Sequence, residues 1–152
     1  MIERTLIIIK PDAIQRHLTG QIISRFEKKG FQIIAAKFMK IPDSLARLHY
    51  SAHQGQPFFN PLIKYITSSP VMVMVLQGDG VINMVRKLLG ATFGYDAEPG
   101  TIRGDFSCSG RYNLVHASDS QQSAKMEIEL YFEPNELIDY QLHIDKWLYP
   151  EK

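Results

Sequence analysis

Four stretches of the chain are dominated by apolar residues too short to be long helices. In "RTLIIIKPD" the run Leu6 to Ile9 is unbroken and is closed by Lys10 and Pro11. Such a run suits a strand covered on both faces. "FQIIAAKFMKI", "VMVMVLQ" at 71–77 and "YNLVH" at 112–116 read as three more strands. Between them the apolar positions change to helical spacing. In "TGQIISRFEKKG", Ile22, Ile23 and Phe26 share a face, with Thr19 as a starting cap and Gly30 as a stop. Residues 43–53 and 57–67 read as two further helical stretches. "GDGVINMVRKLLG" places Val81, Ile82, Val85, Leu88 and Leu89 on one side and stops at Gly90. Residues 91–112, rich in Gly and turn formers, read as a loop. "SDSQQSAKMEIELYF" closes the pattern as a helix that Pro134 prevents from continuing. The order is compatible with one four-stranded sheet bearing helices, α+β or α/β.

Length and composition narrow the class. A chain of 152 residues predicts one domain, 1–152, with an ordinary core. The formal net charge of +1 argues against a dedicated nucleic-acid binder. The single cysteine, Cys108, allows no internal disulfide and suits a reducing cytosol. Glu3 and Arg4 precede the first apolar run, so no signal-peptide pattern is expected, and no stretch approaches a membrane span.

The chemistry-bearing candidates lie near strand ends. His116 falls where a strand gives way to the polar opening of a helix at Ser118, Asp119 and Ser120. On that helix Ala124, Glu127, Ile128 and Tyr131 follow i, i+3, i+4, i+7, so a carboxylate shares an apolar face and needs a partner. His116 is within its reach. A carboxylate on one ring nitrogen would fix the tautomer and leave the other as a nucleophile. By periodicity alone the commoner arrangement is a satisfied core histidine beside a structural glutamate. Lys10 ends a buried strand, Arg86 borders the apolar side of its helix, Thr92 follows a helix stop, and Arg103 lies in "PGTIRGDF", a turn leading into an extended segment. Singly each cation is usually a surface charge. Together they would suit phosphate. No P-loop is present, and "GDGVIN" has Asn83 where a dinucleotide-binding turn needs its third glycine. His49 and His53 in "HYSAH" have a zinc-compatible i, i+4 spacing but no evident third ligand, so His53 reads as structural and Cys108 as inert.

Taken in order, "ERTLIIIKPDAIQR", "HYSAHQGQPFF", "LLGAT", "PGTIRGDF", "NLVHASDS" and "SAKMEIELYF…ELIDY" resemble nucleoside diphosphate kinases across residues 3–140. The resemblance implies an α+β, ferredoxin-like βαββαβ fold: a four-stranded antiparallel sheet with additional helices. It implies transfer of the γ-phosphoryl group of a nucleoside triphosphate, typically ATP, to a nucleoside diphosphate. The route is ping-pong through a phosphohistidine, with broad base specificity, and serves nucleoside triphosphate pools. By alignment His116 is the phosphorylated residue, Glu127 orients it, and Ser118 supports it. Lys10, Tyr50, Arg86, Thr92, Arg103 and Asn113 hold phosphates and ribose, with Lys10 also counted as catalytic, and Phe58 stacks on the base. Mg2+ is carried with the nucleotide phosphates and has no dedicated protein ligands. The implied partners are nucleoside di- and triphosphates and other copies of the chain, as a homohexamer with tetramer or dimer as alternatives, in the cytoplasm. The chain departs from the family pattern at Gly110, Arg111, Tyr112 and Asn113, where Tyr112 interrupts the usual Gly-Arg-Asn, and at Phe93 and Gly94, where Asn-Pro is common.

Overall fold

A computed structural model describes residues 1–150. The four apolar runs become β1 (Ile2–Ile9), β2 (Gln32–Met39), β3 (Val71–Asp79) and β4 (Val115–Ala117). They form one sheet in the order β2-β3-β1-β4, with every neighbouring pair antiparallel. This is the ferredoxin-like order expected from the resemblance. β1 and β3 are central, which explains their lack of polar alternation: both faces are covered. Ile7, Ile9, Met74 and Leu76 pack on one side with Phe26 and Val85. Leu6, Ile8, Val73 and Val75 pack on the other with Ile63 and Ile128.

The helices are α1 (Pro11–Gln15), α2 (Thr19–Lys28), α3 (Asp43–His49), α4 (Phe59–Ile66), α5 (Val81–Leu89), α6 (Ile102–Phe106), α7 (Gln121–Tyr131) and α8 (Asp145–Leu148). α2 and α5 supply the first face; α3, α4 and α7 supply the second. Gly30, at φ +96°, ends α2 as expected. Thr19 does not cap it: the cap position is Leu18, and Thr19 is the first helical residue. Ser120 caps α7, its Oγ accepting from the Ser123 N–H at 3.1 Å. Among the described residues no helix is long and apolar enough to cross a membrane.

Three local expectations need correction. The stretch 43–53 is an α-helix followed by a separate 3-10 turn at Ser51–His53. The stretch 91–112 is not all loop, and Arg103 is not in a turn with an extended continuation: it lies on α6. Thr101 Oγ1 caps that helix by accepting from the Gly104 N–H at 3.0 Å. Gly104 is required there, since a Cβ would fall 1.9 Å from the Glu98 carbonyl oxygen. Five residues are too few for a hydrophobic period to register. The fourth strand begins only at Val115, because Leu114 has φ +71° and the Val115 N–H donates to the Asn113 carbonyl at 2.8 Å. That is a γ-turn, a rare and strained geometry for a leucine.

Candidate active site

β4 pairs with β1 so that His116 lies opposite Ile8, and strand alternation sends its ring to the face covered by α3, α4 and α7. Glu127, on the inward side of α7, meets it there. His116 Nε2 lies 3.2 Å from Glu127 Oε1 and 3.1 Å from Oε2. The buried Ser118 hydroxyl donates to Oε2 of the same carboxylate and accepts from the Leu6 N–H. Burial alone would push the Glu127 carboxyl up. Hydrogen bonds from His116, His49 and Ser118 outweigh it and hold the group well below the usual carboxylate range. An ionised carboxylate only accepts, so Nε2 carries the proton and Nδ1 keeps the lone pair. Among the described residues no protein group hydrogen-bonds Nδ1. Burial is also the main reason that His116 is lowered to about 4, with Glu127 opposing in part. The ring is therefore neutral at physiological pH.

The γ-turn at Leu114 decides what stands beside this ring. Its N–H donates to Asp12 Oδ2 at 3.2 Å, and the Lys10 N–H donates to its carbonyl at 2.8 Å. The Tyr65 hydroxyl donates to the other oxygen of Asp12. The turned backbone brings Asn113 to Lys10, whose buried Nζ donates to Asn113 Oδ1 at 2.7 Å. Burial, then the nearby Arg103 charge, lowers Lys10 to about 7. Arg103 is buried and donates to three carbonyls: Val115 at 2.6 Å, Asn113 at 3.1 Å and Gly90 at 3.2 Å. Burial and then Arg86 lower it to about 10, so it stays charged. Arg86 is exposed rather than bordering the core, and its guanidinium reaches the Ala117 carbonyl at 3.5 Å. Thr92 is exposed too, and its carbonyl accepts from Asn113 Nδ2 at 3.1 Å.

Phe58 is half exposed and packs edge-on against His53, which in turn lies near Tyr50. Tyr50 is buried edge-on to His116, and its hydroxyl has no hydrogen-bond partner among the described residues. A buried polar atom in that state is costly unless a ligand or water meets it. Among the described residues, the donors close enough to share a metal are His49, His116 and Glu127. Two imidazoles and one carboxylate do not fit Mg2+, which takes oxygen ligands in octahedral geometry. His53 is not part of that group.

A family model described as nucleoside diphosphate kinase matches residues 3–137. The chain belongs to the nucleoside diphosphate kinase family. It is 52% identical over 151 residues to the nucleoside diphosphate kinase of Methanosphaera stadtmanae, covering 99% of each chain. Its fold matches the Halobacterium salinarum nucleoside diphosphate kinase, solved in complex with CDP, at a TM-score of 0.96, 43% identity and 98% and 99% coverage. The Borrelia burgdorferi enzyme, solved as a transition-state mimic with vanadate and ADP, matches at a TM-score of 0.91 and 38% identity over 96% of each chain. The protein is thus a phosphotransferase moving the γ-phosphoryl group of a nucleoside triphosphate to a diphosphate through a phosphohistidine.

Within this nucleoside diphosphate kinase the candidates fall into two groups. His116, Ser118 and Glu127 form one hydrogen-bonded unit, and Lys10, Asn113 and Arg103 form a second, joined through Asn113. Thr92 is tied to the second through its backbone, whereas Phe58 is hydrogen-bonded to neither. Sequence reasoning weighed His49 only as half of an i, i+4 histidine pair and Tyr131 only as part of an apolar face, and gave Asp12 and Tyr65 no role. Tyr131 had the one available signal, lying four residues after Glu127 on the same face. The hydrogen-bond partners of the His49 and Asp12 side chains are 53 to 102 residues distant in sequence, beyond any local pattern.

Proposed function

We propose that His116 is the phosphorylated residue and that the surrounding cations bind the nucleotide phosphates. The observation that supports this most strongly is the Glu127 carboxylate on Nε2 with no partner on Nδ1 among the described residues. The Nδ1 lone pair forms a bond to the γ-phosphorus as the bond to the bridging oxygen breaks, and the nucleoside diphosphate leaves with that electron pair. No proton must be removed, since Nδ1 carries none. A terminal phosphate oxygen of the second diphosphate then attacks the phosphohistidine and restores the ring. Phosphoryl transfer depends on positioning and charge stabilisation. Lys10, Arg86 and Arg103 supply the charge, with Tyr50, Thr92 and Asn113 as polar contacts to phosphate and ribose. Mg2+ enters as part of the substrate and would neutralise charge on its phosphate oxygens. Phe58 offers its exposed ring to any base, because every base has a π-face, so base specificity is broad. That chemistry balances cellular nucleoside triphosphate pools, and the kinase works in the cytoplasm. We further propose a homohexamer, with the edge of β2 beyond Ile34, which carries the exposed Phe38, available for contacts between copies, since the Ile138 N–H and the Tyr140 hydroxyl already cover the edge at Ile34 and Ile33.

The deciding experiment mixes the protein with γ-labelled ATP and Mg2+. Acid-labile label is expected on the chain and should pass to an added diphosphate. His116→Ala should abolish both steps with the fold retained, a loss of roughly 10⁵-fold or more. Label on that variant would assign the nucleophile elsewhere.

A further inference from the structure

His49 ends α3, and its side chain is 1% exposed. Its Nε2 lies 3.2 Å from Glu127 Oε1 and its Nδ1 2.7 Å from the Tyr131 hydroxyl. The acceptor-only carboxylate makes Nε2–H the donor, so Nδ1 accepts from the Tyr131 O–H. Glu127 and Tyr131 are one turn apart on α7, and one imidazole from α3 spans both. Tyr50 stacks on that ring at 4.4 Å and 6°, and His116 meets its edge at 4.7 Å.

The geometry around Glu127 shows what this adds. His116 Nε2 is almost equidistant from the two carboxylate oxygens, so it does not fix rotation of the carboxylate about its terminal bond, a broad torsion. Ser118 engages Oε2 and His49 engages Oε1. With both oxygens held, the carboxylate faces the Nε2–H of His116 and keeps the lone pair on Nδ1. Without the His49 donor on Oε1, the carboxylate is free to turn toward Ser118 and to favour a single oxygen.

We propose that His49 is a positioning residue, acting through Glu127 to hold the His116 tautomer and ring orientation for phosphorylation. This rests on His116 being the nucleophile. The alternative is that His49 only ties α3 to α7 and contributes stability.

Two polar substitutions separate these. A glutamine amide reaches the place of the imidazole Nε2 and can still donate to Glu127. An asparagine amide reaches the place of Nδ1, so it meets Tyr131 and leaves Glu127 Oε1 with only the His116 N–H that it shares with Oε2. In single-turnover phosphorylation by ATP and Mg2+, His49→Asn should be slower by roughly tenfold or more, with nucleotide KM within about twofold. His49→Gln should remain within about threefold of the native rate. Long-range imidazole 1H–15N spectra should show His116 as the Nε2–H tautomer in the native and Gln proteins and as a mixture in the Asn protein. Native rates in both variants would overturn the proposal, as would equal slowing in both. Slowing that tracks a fall in Tm with an unchanged tautomer would assign His49 to stability alone. Since His116→Ala tests the nucleophile separately, a failure here leaves that reading standing.

Discussion

The two sides of the candidate site are built on different terms. Around Glu127, each carboxylate oxygen has two donors, and the ring beyond it is almost fully excluded from solvent. On the nucleotide side, Phe58, Arg86 and Thr92 are exposed, with Phe58 edge-on to His53 and Arg86 reaching the Ala117 carbonyl at 3.5 Å. The difference follows from what each must do. A nucleophile has to present one nitrogen in one protonation state before substrate arrives, so its partners are fixed in advance. Phosphate and base ligands gain most if their hydrogen-bonding capacity is left for the ligand. Arg103 and Lys10 stand between these extremes, buried and partly satisfied by the protein, yet still cationic or close to it.

That intermediate position gives the sharpest test. Arg103→Ala removes three hydrogen bonds to carbonyls, those to Asn113 and Val115 buried, and should cost about 2 kcal/mol or more of stability. It should also lower kcat/KM by roughly 100-fold or more. Arg86→Ala should weaken nucleotide use while leaving Tm near native, because only one long contact to the Ala117 carbonyl is lost. If both variants lose the same stability, the division between a built and an open side fails.

A smaller effect concerns pH. Lys10 is lowered to about 7 and His116 to about 4 in the free kinase. Above pH 7 the ammonium is lost, so kcat/KM for nucleotide should fall by about tenfold per unit at first. Below pH 4 the His116 imidazolium has no lone pair, so the rate should fall on that side too. Between them the profile should be level. Lys10→Arg should extend the level region upward, which separates Lys10 from ionisation of the nucleotide. An unchanged upper limb in that variant would show that Lys10 does not set it. The smallest effect is expected at Phe58. Its replacement by Ala should raise KM about fivefold to tenfold for purine and pyrimidine diphosphates alike, with kcat and Tm nearly unchanged. A loss confined to one base would mean that Phe58 selects rather than stacks.

Much of this was legible in the chain itself. Unbroken apolar runs announced β1 and β3 because central strands bury both faces, and the face of α7 carrying Glu127 beside Ala124, Ile128 and Tyr131 required a partner for the carboxylate. The ordered motifs around Lys10, Arg103 and His116 named the family. Tertiary structure decided the rest. It turned Leu114 out of the strand, gave α6 a cap, raised Arg86 to the surface, and set His49 against Glu127. Sequence periodicity reports which side of an element meets the core, since that depends on neighbours three or four residues away. A strained turn held by a distant carboxylate, or an imidazole bridging two helices, depends on pairings many tens of residues apart, and those exist only once the sheet has closed.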